Sequence, residues 1–162
     1  MQTTAISYIT GDATDPRGTG PKVIVHVCND IGGWGRGFVL ALSARWPEPK
    51  IAYRCWHREG EAGGFALGAV RFVEVESYLW VANLIGQHGI HKAHGVPPVR
   101  YEAIQVGLGH VADFAEKQNA TVHMPRMGCG LASGEWGTVE GLIVSELCGK
   151  GIDVTVYDLP TK

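Results

Sequence analysis

Two stretches of this chain share one grammar: an apolar run, a glycine-rich turn, then a helix-forming stretch. In the first, Val23-Ile24-Val25-His26-Val27 is rich in the β-branched residues that suit a buried strand. Gly32-Gly33-Trp34-Gly35-Arg36-Gly37 follows, and Phe38–Arg45 then reads as a short helix ended by the prolines at 47 and 49. In the second, Thr121–Met124 reads as a strand and leads into Gly128-Cys129-Gly130-Leu131-Ala132-Ser133-Gly134. A helix starts near Trp136, with Val139, Leu142, Ile143 and Leu147 on one face. Strands that hand over to helices through such turns build a largely parallel sheet covered on both faces.

The other elements fit that class. Residues 5–10 alternate as a short strand, stopped by Gly11-Asp12. Residues 70–75 and 78–85 read as strands separated by a turn at Glu76-Ser77, so an antiparallel pair joins the sheet and makes it mixed. A polar loop covers 86–96. Pro97-Pro98 then opens a helix whose stripe is Tyr101, Ile104, Leu108, Val111 and Ala115. Residues 153–157 read as the last strand. With 162 residues and no repeat or linker, the expectation is one domain over 1–162.

In an open α/β sheet, ligands bind beyond the carboxyl ends of the strands. A glycine-rich turn there lets backbone amides close on an anion, helped by the partial positive charge of the following helix. Two such loops suggest a cradle for a diphosphate or an extended nucleotide; simple tight turns are the plainer alternative. Neither loop has G-x-G-x-x-G spacing, and no G-x-x-x-x-G-K-[ST] occurs. The net charge of −2 argues against a general nucleic-acid binder but leaves backbone anion binding open. Cys28, Cys55, Cys129 and Cys148 are scattered, which suits free thiols in a reducing cytoplasm, and no apolar stretch is long enough to span a bilayer.

Other residues invite chemistry and have plainer readings beside it. His88, His91 and His94 lack the i, i+4 pairing of a helical zinc motif and lie among glycines, so a polar loop without metal is expected. Cys129 could be a nucleophile near a helix N-terminus, but no histidine follows nearby to act as base, and packing is the simpler role. His26, alternating along a strand, reads as a core histidine. Asp12 has the position of a turn residue. Trp34 and Trp136 border the glycine loops, as core or as shields of a cleft. Asp30 is the carboxylate beside the first loop and the best local base.

Several of these segments together resemble the macrodomain family. They are Gly11-Asp12-Ala13, Val27-Cys28-Asn29, Gly33-Trp34-Gly35-Arg36-Gly37, Asn83-Leu84-Ile85 and Pro97-Pro98-Val99-Arg100-Tyr101-Glu102, followed by Pro125-Arg126-Met127-Gly128-Cys129-Gly130-Leu131 and Val156-Tyr157. The match covers nearly the whole chain in order, and is most similar to the branch of ADP-ribose-1″-phosphate-processing proteins and the terminal ADP-ribose protein glycohydrolase. The resemblance implies a three-layer α/β/α sandwich and ADP-ribose, or an ADP-ribosylated protein, as partner. It implies no cofactor, no metal and no membrane, with nucleic acid only as an ADP-ribosylated substrate.

Carried over residue by residue, Asp12, with Gly11 and Ala13 beside it, meets adenine, and Tyr157 packs near that ring. Gly128, Cys129, Gly130, Leu131, Ala132, Ser133 and Gly134 wrap the diphosphate. Asn29, the loop Gly32, Gly33, Trp34, Gly35, Arg36 and Gly37, and Ile85 meet the distal ribose. Hydrolysis of an ADP-ribosyl ester is the implied activity, with Asn29 orienting the ribose, Asp30 positioning water and Gln87 hydrogen-bonding. A lysine and an aspartate of the family's glycohydrolase are replaced here by Gln87 and Ala132. ADP-ribose-1″-phosphate phosphatase and a reader without turnover stay open as alternatives.

Overall fold

The computed structural model describes residues 3–130 and 132–160, so Leu131 of the second glycine loop lies outside the described residues. In chain order the elements are β1 (Ile6–Thr10), β2 (Lys22–Asn29), α1 (Phe38–Arg45), α2 (Glu48–Glu59), β3 (Val70–Glu76), β4 (Leu79–Gln87), α3 (Tyr101–Gln118), β5 (Thr121–Met124), α4 (Trp136–Glu146) and β6 (Val154–Asp158). The strands form one six-stranded sheet in the order β1-β6-β5-β2-β4-β3. Every pairing is parallel except β3 with β4, which is antiparallel and lies at one edge.

Alternation along the strands sorts the core into two halves. Val23, Val25, Ala82 and Leu84 pack with Ile104, Leu108 and Val111 of α3 and with Val139 and Ile143 of α4. Ile24, Cys28, Val81 and Ile85 face the other way, against Leu42 of α1 and Tyr53 and Trp56 of α2. The fold is therefore a three-layer α/β/α sandwich around a mixed sheet. Burial on both faces explains why β2 is an uninterrupted apolar run. Each large core side chain contributes roughly 1.5–3 kcal/mol by leaving water.

His26 is a satisfied core histidine. Its Nε2 lies 2.5 Å from Asn83 Oδ1, and Asn83 Nδ2 donates to the Pro49 carbonyl at 3.1 Å. Burial lowers the imidazole to about 4, so it is neutral and donates from Nε2.

The structure corrects several element boundaries. Pro47 and Pro49 do more than end α1: they open α2, a helix absent from the sequence reading, with Pro49 in its first turn where a missing N–H costs nothing. The hairpin turn is Ser77-Tyr78, not Glu76-Ser77; Tyr78 takes φ 60°, as a tight two-residue connection requires. Gly86 and Gln87, expected in a loop, complete β4. After Pro97-Pro98 the chain stays extended through Arg100, and α3 starts at Tyr101. None of the described helices is long and apolar enough to cross a membrane.

Candidate functional site

Because β1, β6, β5, β2 and β4 run parallel, the segments that follow them emerge at one edge of the sheet. In spatial order that edge carries Asp12 after β1, Asp158 ending β6, the second glycine loop after β5, the first after β2, and Gln87 ending β4. Residues far apart in sequence are brought into one line. Between the neighbours β5 and β2 the chain departs to opposite faces, β2 toward α1 and β5 toward α4, which is where such a sheet opens a crevice. A cleft of ≈ 750 Å³ lies there, within the ~300–1,000 Å³ usual for small-molecule sites. Of the residues expected from sequence, Asn29, Gly33, Gly35, Arg36, Gly37, Gln87, Gly128, Gly130 and Ala132 line it. Gly11, Asp12, Ala13, Asp30, Gly32, Trp34, Ile85, Cys129, Ser133, Gly134 and Tyr157 are not among its lining residues.

The first loop is organised by Asn29. Its Oδ1 accepts the N–H groups of Ile31 and Gly33, each at 3.0 Å, and its Nδ2 donates to the Gly33 carbonyl at 2.9 Å. Tyr53, wholly buried on α2, adds a brace from below. Its hydroxyl lies 2.7 Å from the Asn29 carbonyl and 2.8 Å from Oδ1, and accepts the Gly32 N–H at 3.1 Å. Burial raises its phenol well above the usual range. Gly32 has φ 84°, and a Cβ there would meet the His57 ring at 2.6 Å, so only glycine fits. Trp34 is buried and donates from Nε1 to Ser43 at 2.8 Å, a core role. Ile85 is also fully buried.

Asp30 is engaged rather than free. Its Oδ1 accepts the Gly89 N–H at 2.8 Å, and its Oδ2 lies 2.7 Å from His88 Nδ1. Gln87, almost fully buried, donates to the Gly89 carbonyl at 2.9 Å. These contacts join the segment after β2 to the segment after β4.

The second loop closes on itself. The Gly134 N–H donates to the Gly128 carbonyl at 2.8 Å and the Ser133 N–H to the Gly130 carbonyl at 3.0 Å. A Cβ on Gly134 would land on the Gly128 carbonyl oxygen, so that crossing demands glycine. Gly130 differs, since a Cβ there would point into open space. Ala132 is buried, and its carbonyl accepts the Val99 N–H at 3.1 Å. Burial raises the Cys129 thiol above its ordinary value, opposed by Arg126, so the thiolate is disfavoured.

At the far end, Asp12 Oδ1 accepts both the N–H and the hydroxyl of Thr14, at 2.8 and 2.7 Å. Arg45, at the end of α1, donates to Thr14 Oγ1 at 2.8 Å and brings its guanidinium to 3.9 Å from Asp12 Oδ2. The Tyr157 ring is buried in the sheet. Its hydroxyl accepts the Arg17 N–H at 2.9 Å and lies 2.7 Å from His123 Nδ1. Arg126, on the cleft lining, grips Asp158 at 2.7 and 3.0 Å beneath the rings of Tyr8 and Trp136.

No family model matches the chain. A solved macrodomain protein from Streptomyces coelicolor is 59% identical over 94% of this chain and 98% of its own, with a TM-score of 0.85. The chain belongs to the macrodomain family. A Bacteroides thetaiotaomicron protein of unknown function matches this macrodomain at 59% identity and TM-score 0.93, over 95% of this chain and 98% of that one. Thermosipho africanus DarTG in complex with ADP-ribose shares the fold at 20% identity and TM-score 0.76, over 98% of this chain and 42% of that one. A curated mouse relative, chromodomain-helicase-DNA-binding protein 1-like, is 30% identical over 169 residues covering 99% of this chain. The macrodomain spans only 18% of that relative's length.

Sequence reasoning missed the groups that support this macrodomain's loops. Tyr53 was out of view because α2 was; the buried spacing Pro49, Tyr53, Trp56 was the available signal. Thr14 and Arg45 act across the fold, and no local pattern announces them.

Proposed function

We infer that this macrodomain binds ADP-ribose along the carboxyl edge of its sheet and hydrolyses ADP-ribosyl linkages, releasing ADP-ribose from protein carboxylates. The observation that carries the reading is the order of the edge: Asp12, then the two glycine loops, then Asn29 and Gln87. An extended ligand laid along it puts adenine beside Asp12, the diphosphate between the loops and the distal ribose at Asn29, Asp30 and Gln87. Backbone N–H groups and the starts of α1 and α4 suit the diphosphate. Residues 31–47 and 125–134 contain no acidic side chain, while Arg36 and Arg126 line the cleft. The DarTG structure, of the same fold, holds ADP-ribose.

Binding energy from adenine and diphosphate would hold the distal ribose for attack by water. Asn29 acts by shaping the loop, and Gln87 lines the pocket beside it. A second reading, a reader without turnover, is favoured by Gln87 and Ala132 where the resembling glycohydrolase has a lysine and an aspartate.

Two measurements test the proposal. ADP-ribose should raise the melting temperature far more than adenosine, which lacks the diphosphate; equal shifts would remove the cradle. Gly130→Val, whose side chain faces open space, should lose that shift while melting normally without ligand. Incubation with carboxylate-linked ADP-ribosylated protein should release ADP-ribose; tight binding without release would establish the reader.

A further inference from the structure

Arg126 lines the cleft from the segment after β5, and its guanidinium is fixed both at an edge and over a face. At the edge, Nε and Nη2 donate to the two carboxylate oxygens of Asp158 at 2.7 and 3.0 Å, a two-point fork that sets the plane of the group. Over the face, Cζ lies 5.1 Å from the centre of the Tyr8 ring and 5.2 Å from that of Trp136. Those ring centres are 6.4 Å apart, far less than the sum of the two distances, so the rings do not sandwich the guanidinium. Among the described residues no ring covers the opposite face, and the side chain stays 42% exposed. The rings themselves are braced: Trp136 Nε1 donates to the Tyr8 hydroxyl at 3.1 Å, and that hydroxyl bonds Glu140.

Asp158 ends β6, which stands between β1 and β5, and its carbonyl accepts the Gly11 N–H at 2.8 Å. Arg126 is thereby tied beside the Gly11-Asp12 turn, on the side of α4, which Trp136 opens. Arg45 of α1 approaches Asp12 from the other layer. We propose that the open face of the Arg126 guanidinium is the platform on which the adenine of ADP-ribose stacks, with Tyr8 and Trp136 backing it. The inference rests on the ADP-ribose reading above and is independent of turnover. Guanidinium planes stack on nucleobases as they do on aromatic rings. Asp158 already neutralises Arg126, which weakens its pull on a phosphate and leaves stacking undiminished. The platform also loses little side-chain entropy on binding, because fork and rings have ordered it beforehand.

The test titrates wild type, Arg126→Ala and Arg126→Lys with ADP-ribose and with adenosine, whose weaker binding is followed by NMR. An exposed ion pair adds little to stability, so the variants stay folded at the titration temperature, which a melt of each verifies. Arg126→Ala should weaken ADP-ribose about tenfold and adenosine by a similar factor, because both carry the base. Arg126→Lys keeps the charge and loses the plane, so it should recover little of either. A loss confined to ADP-ribose, or full affinity regained with lysine, assigns Arg126 to a phosphate and overturns the platform. Unchanged affinity for both ligands also overturns it and spares the ADP-ribose reading. A wild type that does not bind ADP-ribose overturns both.

Discussion

At the scale of single residues, Asp12 holds a turn with one carboxylate oxygen and leaves the other for the adenine contact proposed above. The glycine-aspartate step after the first strand was legible as a turn, and the structure supplies the mechanism: Oδ1 is taken by the Thr14 N–H and hydroxyl. Among the described residues Oδ2 accepts no hydrogen bond, and the Arg45 guanidinium lies 3.9 Å from it. If Oδ2 accepts the adenine amino group, Asp12→Asn is the informative change. The amide keeps its oxygen for Thr14 and puts an NH₂ where Oδ2 was, so two donors face each other. ADP-ribose should bind more weakly by about 1–3 kcal/mol, and the inosine analogue, which presents an acceptor there, should be preferred. Titration calorimetry with both ligands checks this; unchanged preference for adenine would leave Asp12 as a turn residue alone. Tyr157, by contrast, offers its hydroxyl to Arg17 and His123 and keeps its ring inside the sheet. Sequence position alone could not distinguish a ring beside a ligand from a ring that anchors the segment before it.

At the scale of elements, the strands and the glycine loops were legible because burial on both faces of a parallel sheet writes itself as apolar runs. β2, β5, α1 and the stripe of α3 lie where periodicity puts them. The sequence misleads at α2, where two prolines read as a stop, although proline is as much a helix opener as a terminator. That omission hid part of the site's support, since α2 brings Tyr53 under the first loop. Tyr53→Phe tests the connection. It deletes one buried oxygen and leaves the Gly32 N–H and the Asn29 carbonyl without that partner. Buried groups stripped of a partner cost about 1–3 kcal/mol. The variant should therefore melt lower and, if the first loop meets the ligand as proposed, bind ADP-ribose more weakly, because that loop is no longer held. Comparing free and ligand-bound melting separates the two effects; a lower melt with full affinity would mean that the loop keeps its shape without the brace.

At the scale of the whole molecule, two buried imidazoles make acid stability a property of the sheet. His26 on β2 bonds Asn83 on β4, while His123 on β5 lies between Thr121 and the Tyr157 hydroxyl on β6. Each pair binds neighbouring or nearby strands through polar atoms that water does not reach. Burial lowers both imidazoles to about 4, from an ordinary 6.5. The direction of the pH effect follows from that depression. Between those two values the unfolded chain takes up protons that the folded protein refuses, so stability is complete above the upper value and is lost as pH falls toward the lower one. Each histidine removes about 1.4 kcal/mol per pH unit across the window. Arg126 beside Asp158 lowers that carboxyl, so its contribution is lost in the same direction but only toward the acid end of the series. Urea unfolding at a series of pH values from 8 to about 4 should be flat at first and then decline steeply. His123→Gln keeps a polar group between Thr121 and Tyr157 and removes one proton site, so the decline should lose about half its slope even though the variant starts less stable. A variant slope equal to wild type would show that His123 is not the group being protonated, and that acid opens this fold elsewhere.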